Sequence, residues 1–107
     1  MHRQTIVYLS GKMRGLPDYG RKTFNFVAKN LETLGYQVIN PALLPTGLRN
    51  EDYMPICTAM IDACDIVVLI DGWESSQGAK AEAMYADCQG KRIATLSKFV
   101  DEIEARY

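Results

Sequence analysis

The segment from Asp65 to Asp71, DIVVLID, is apolar throughout its centre and shows no alternation of polar and apolar residues. A strand of this kind is covered on both faces. The chain must therefore place helices above and below it, and the remaining sequence is arranged to do so.

Gln4 to Ser10 (QTIVYLS) is a β-branched and aromatic run ending at Gly11, and it reads as a buried strand. GKMRGLPDYG follows as a loop. Arg21 to Leu34 carries Phe24, Val27, Ala28, Leu31 and Leu34 at helical spacing, with Gly35 as its stop. Tyr36 to Asn40 is a second strand, and it runs into a loop broken by Pro41, Pro45 and Gly47. Asp52 can cap a helix reaching Cys64, with Pro55 in its first turn. After the DIVVLID strand, the loop GWESSQG leads into a helix from about Gly78 to Cys88 that Gly90 terminates. Lys91 to Leu96 is the fourth strand, and Phe99 to Tyr107 is a closing helix.

The resulting order is β-α-β-α-β-α-β-α. It predicts an α/β three-layer sandwich: a parallel sheet of four to five strands, helices on both faces and right-handed crossovers. A flavodoxin-like order, 2-1-3-4, would open a ligand crevice at the carboxyl ends of strands one and three, where the strand order reverses. Both glycine-rich loops and Asp71 fall at that end. With 107 residues the chain has room for one domain, spanning 1–107.

Charge narrows the choice of ligand. Twelve basic and 13 acidic residues give a net charge of −1, without a Lys/Arg run, so a nucleic-acid groove is not expected. A small anion remains possible. A single histidine, His2, gives no basis for a His-based metal site or a Ser-His-Asp triad. Cys57 and Cys64, seven apart, fit one buried helical stripe, and the three cysteines read as core thiols of a reducing compartment. The short apolar run at the amino terminus is neither a signal peptide nor a membrane span, and a cytoplasmic location is expected.

Glu82 carries the most information. Its helical neighbours Gly78, Ala79, Tyr85 and Ala86 form a small and apolar face, where a carboxylate is costly unless it is used. A solvated glutamate on a helix surface is the plain alternative. Ser75 or Ser76 can cap this helix, and Gly78 bares first-turn amides suited to an anion.

Ser76-x-Gly78-x-x-x-Glu82 resembles the signature of nucleoside 2-deoxyribosyltransferases and of 2′-deoxynucleoside 5′-phosphate N-hydrolases. Tyr8-Leu9-Ser10-Gly11-x-Met13-x-Gly15-Leu16-Pro17-Asp18-Tyr19 resembles the opening of the short deoxyribosyltransferase-like proteins classed as DUF4406. Gly35-Tyr36-x-Val38-x-Asn40-Pro41, Asp52-Tyr53-Met54 and Gly72-Trp73 are similar to that group too, so the likeness covers almost the whole chain in order. It implies that Glu82 attacks C1′ of the sugar and expels the base, in the manner of a retaining glycosidase. It further implies Asp71 as the group that holds or protonates the base, and Tyr8 as a hydrogen-bonding partner that orients Glu82.

Ser10, Gly11, Lys12, Arg14, Gly15, Trp73, Ser76 and Gly78 are the expected substrate-binding residues, with Asn40 and Tyr19 as weaker ones. Tyr53 is expected to pack at the start of its helix. Lys12 and Arg14 either favour an anionic substrate, a nucleoside 5′-monophosphate, or are solvated loop cations. Trp73 either stacks on a base or covers the sheet end. The implied activity is transfer of the sugar to another base or to water. A non-catalytic nucleotide-binding or interaction protein is the alternative. No cofactor and no metal is implied. Self-association as a homodimer or larger homo-oligomer is expected, with Gly78, Ala79, Ala83 and Ala86 as a helix-packing face.

Overall fold

The structure, a computed structural model, describes residues 4–106; His2 and Tyr107 lie outside them. Four strands and four helices alternate: β1 Ile6–Ser10, α1 Arg21–Thr33, β2 Gln37–Ile39, α2 Asn50–Ala63, β3 Ile66–Leu69, α3 Gln77–Cys88, β4 Arg92–Thr95 and α4 Leu96–Glu104. Short turns at Pro17–Gly20, Pro41–Leu43 and Trp73–Ser75 follow β1, β2 and β3. All pairings are parallel and the sheet order is β2-β1-β3-β4, the flavodoxin-like order read from the sequence. Among the described residues the strands number four, the lower of the two expected counts.

The alternation of side chains along the central strands divides the core into two layers. Val7 and Leu9 of β1, with Ile66 and Val68 of β3, pack under α1 and α4 against Phe24, Leu31, Phe99 and Ile103. Tyr8, Val67 and Leu69 point the other way, onto Cys57 and Ile61 of α2 and Ala86 of α3. Burying each large apolar side chain contributes roughly 1.5–3 kcal/mol, so the continuous apolar run of β3 is what commits the sheet to cover on both faces.

Among the element ends that differ from the sequence reading, three have a clear local cause. Helix α2 starts at Asn50, and Asp52 is its third residue: its carboxylate accepts the Arg49 backbone N–H at 3.1 Å. Pro55 consequently lies inside the helix, past the first turn. Strand β4 stops at Thr95, whose hydroxyl accepts the Lys98 N–H, so α4 begins at Leu96 instead of Phe99. Of the four small residues of α3 expected to form a helix-packing face, two are taken up within the chain itself. Ala79 and Ala86 are buried in the chain's own interior, where their size lets α3 approach the sheet. Among the cysteines, Cys57 and Cys64 are buried but Cys88 is exposed, since it ends α3 on the solvent side.

Among the described residues no helix is long and apolar enough to cross a membrane.

Candidate active site

At the carboxyl ends of β1 and β3 the chain leaves in opposite directions, to α1 on one face and α3 on the other, and a cleft of about 1320 Å³ opens there. That exceeds the roughly 300–1,000 Å³ typical of a small-molecule pocket, and the cleft is partly open to solvent. A second cavity, about 150 Å³, lies at the amino ends of the strands beside Thr5, Asp65 and Arg92, away from Glu82 and too small for a nucleoside.

The loop after β1 forms one wall of the cleft. Gly11 crosses close to β3: a Cβ there would meet the Ile70 Cβ at 3.1 Å and the Phe24 Cζ at 3.4 Å. That approach lets the loop turn over the sheet edge and carry Lys12, Arg14 and Gly15 along the cleft. Asp18 and Tyr19, both with φ of 53°, precede Gly20 at 70° in a left-handed run that ends where α1 begins. Left-handed backbone is strained at non-glycine residues and collects at functional sites; Tyr19, still half exposed, lines the cleft.

Helix α3 forms the opposite wall. Ser76 caps it by accepting the Ala79 N–H at 3.1 Å. In any α-helix the first amides have no intrahelical partner, and Gln77 and Gly78, the first two residues of α3, line the cleft. Glu82, in the second turn, lines the cleft floor, and its Oε1 accepts the Ser10 hydroxyl at 2.7 Å. Burial raises the Glu82 carboxyl above the ordinary glutamate range, partly countered by the Ser10 bond and by the nearby Cys57 and Tyr8.

Tyr8 does lie beside Glu82, yet its hydroxyl, fully buried, makes no hydrogen bond of ordinary geometry. The orienting bond expected from Tyr8 is made by Ser10. Both side chains project to the α2/α3 side, but Ser10 ends the strand, level with the carboxylate, while the longer Tyr8 reaches toward Cys57. Burial, with Glu82 close by, pushes the Tyr8 hydroxyl far above the usual phenol range.

Of the residues singled out in the sequence, Tyr8, Ser10, Gly11, Lys12, Arg14, Gly15, Tyr19, Ser76, Gly78 and Glu82 line the cleft together, and so does Tyr53. Asp71, Trp73 and Asn40 stand outside that lining. Gly72 turns the chain at φ 92°, leaving Asp71 exposed at the strand end. Trp73 packs on the layer of Tyr8 and Leu69, covering the sheet end. Asn40 accepts the Ala42 N–H and donates to Asn25, a turn-capping arrangement. The sequence reading missed Arg21, Leu44, Leu48, Met54 and Cys57, which also line the cleft. Cys57 lies with Tyr53 and Ile61 at four-residue spacing on the inner face of α2, a pattern that reads as core and carries no signal of the cleft.

Residues 5–95 match the family described as a domain of unknown function, DUF4406. The chain belongs to this family. Among solved structures, the DUF4406 chain is similar to the CMP N-glycosidase of Clostridium botulinum, at 22% identity and a TM-score of 0.63 over 85% of this chain and 70% of that one. It is also similar to the 2-deoxyribosyltransferase of Leishmania mexicana, at 22% identity and a TM-score of 0.70 over 85% of this chain and 63% of that one. At this identity the likeness establishes a common fold, in which the DUF4406 chain spans about two thirds of each neighbour's length. No curated protein matches it.

Proposed function

We propose that this protein cleaves the N-glycosidic bond of a nucleoside or its 5′-monophosphate, with Glu82 as nucleophile. The observation that carries the reading is Glu82 itself: a largely buried carboxylate, fixed by Ser10, on the floor of a cleft where the sheet order reverses. The likeness to an N-glycosidase and a deoxyribosyltransferase supports it. A Glu82 oxygen bonds to C1′ as the C1′–N bond breaks and its electron pair leaves with the base. Water or a second base then attacks C1′ and releases Glu82.

Three cations line the cleft, Lys12, Arg14 and Arg21, against one carboxylate among the described residues, Glu82. That balance, with the amides at the start of α3, favours a phosphorylated sugar. Asp71 is exposed beyond the cleft, so the departing base takes its proton through solvent on the open side. The protein acts as a homo-oligomer whose neighbouring copy narrows that side; light scattering that finds a stable monomer at micromolar concentration contradicts this.

A non-catalytic nucleotide-binding role is the second reading. It is favoured by one observation: Glu82 has no second acid beside it among the described residues lining the cleft. Chromatography of deoxynucleosides and their monophosphates incubated with the protein separates the two. Free base supports catalysis, and added acceptor base yielding a new nucleoside identifies transfer. Binding without base release supports the second reading.

A further inference from the structure

Three protic side chains surround Glu82. Tyr8 and Ser10 come from β1, and Cys57 comes from α2. Ser10 is committed by its bond to Oε1. The Tyr8 hydroxyl is buried and unpartnered, and Cys57, 6% exposed, stands beside it in the same packed layer and lines the same cleft. A buried hydroxyl without a partner is costly. Hydrogen bonds at a site are often long in the empty state and tighten once a ligand excludes water.

We infer that Cys57 is a positioning residue for Glu82: its S–H, together with the Tyr8 hydroxyl, closes on the carboxylate oxygen that Ser10 leaves open and fixes the direction of attack. Burial pushes the Cys57 thiol up to about 11, so near neutral pH it is an S–H donor and a poor nucleophile. The other charged groups on the cleft are Lys12 and Arg14 from the loop after β1 and Arg21 from α1. The thiol is thus a neutral donor inside the layer, where it acts on Glu82 at short range.

The inference rests on Glu82 being the working carboxylate, and its test needs no turnover. Cys57→Ser keeps a donor, whereas Cys57→Val keeps approximate volume and removes it. The Glu82 side-chain carboxyl carbon, assigned by its absence in Glu82→Gln, is titrated by NMR in each. The expected result is an upward shift of about half a pH unit or more in Cys57→Val and none in Cys57→Ser. A residue that only fills space predicts no shift, or a downward one as water enters, and either result overturns the inference. Should Cys57→Val fail to fold, the wild-type protein decides. The Raman S–H band lost in Cys57→Ser must move to lower frequency as Glu82 ionises, and a band that stays fixed overturns the inference. Base release without these shifts keeps the proposed reaction and removes Cys57 from it. The shifts without base release do the reverse.

Discussion

The Ser10 hydroxyl donates to Glu82 Oε1 at 2.7 Å, tying the end of β1 to the second turn of α3 across 72 positions of sequence. This bond makes the position of Glu82 depend on the register of the sheet, because Ser10 pairs with Leu69 where β1 and β3 end. Ser10→Ala leaves the carboxylate without its one well-formed partner. Loss of a hydrogen bond to a charged group costs about 1.5–3 kcal/mol. The expected result is a fall in kcat/KM of roughly tenfold or more, with the acid limb of the pH profile moving further up, both measured by base release.

Glu82→Gln keeps an acceptor for Ser10 and removes the nucleophile. Base release should fall by about a thousandfold or more, with nucleotide binding by calorimetry largely retained.

The same substitution should stabilise the fold. Burial raises the Glu82 carboxyl in the native state, so between its unfolded and folded values the native protein holds a proton that the unfolded chain has released. Stability from this group is therefore full below the ordinary glutamate value and is lost as pH rises through the raised one. Glu82→Gln escapes that loss. Its Tm should exceed that of the wild type by a few degrees near pH 7, and the gap should close at about pH 4. By the same sign, activity should appear only as pH rises through the raised Glu82 value.

Replacing Lys12 and Arg14 by alanine should weaken binding of a nucleoside 5′-monophosphate about tenfold and leave the nucleoside unchanged, since both cations sit on the cleft rim. Equal losses by calorimetry remove the argument for a phosphate. Asp71→Asn should change kcat/KM by less than about threefold, because the exposed carboxylate lies outside the cleft.

The fold was legible because the signals were local and agreed with one another. The apolar centre of β3 demanded two covering layers, and the alternation of elements left few topologies. Glu82 and the loop from Gly11 to Gly15 were legible for a related reason: a carboxylate on a face of small residues and a glycine-rich strand exit are sequence patterns. What escaped depended on tertiary distance. Tyr8 and Ser10 share a face, and only the packed height of α3 decides which of them meets Glu82. Asp71 ends a strand aimed at the cleft, but the left-handed turn at Gly72 carries the chain aside. Cys57 read as core from its spacing, and it is core; that it also borders the cleft follows from the depth of α2 against β1.

The central claim is a covalent bond between C1′ and Glu82. A 2′-fluoro deoxynucleoside monophosphate, whose fluorine slows breakdown of a glycosyl ester, is incubated with the protein and the intact mass recorded. The expected result is a gain equal to one fluorosugar phosphate, mapped by peptide fragmentation to Glu82 and absent from Glu82→Gln. An adduct on any other side chain, or an unmodified protein after both purine and pyrimidine substrates, contradicts it.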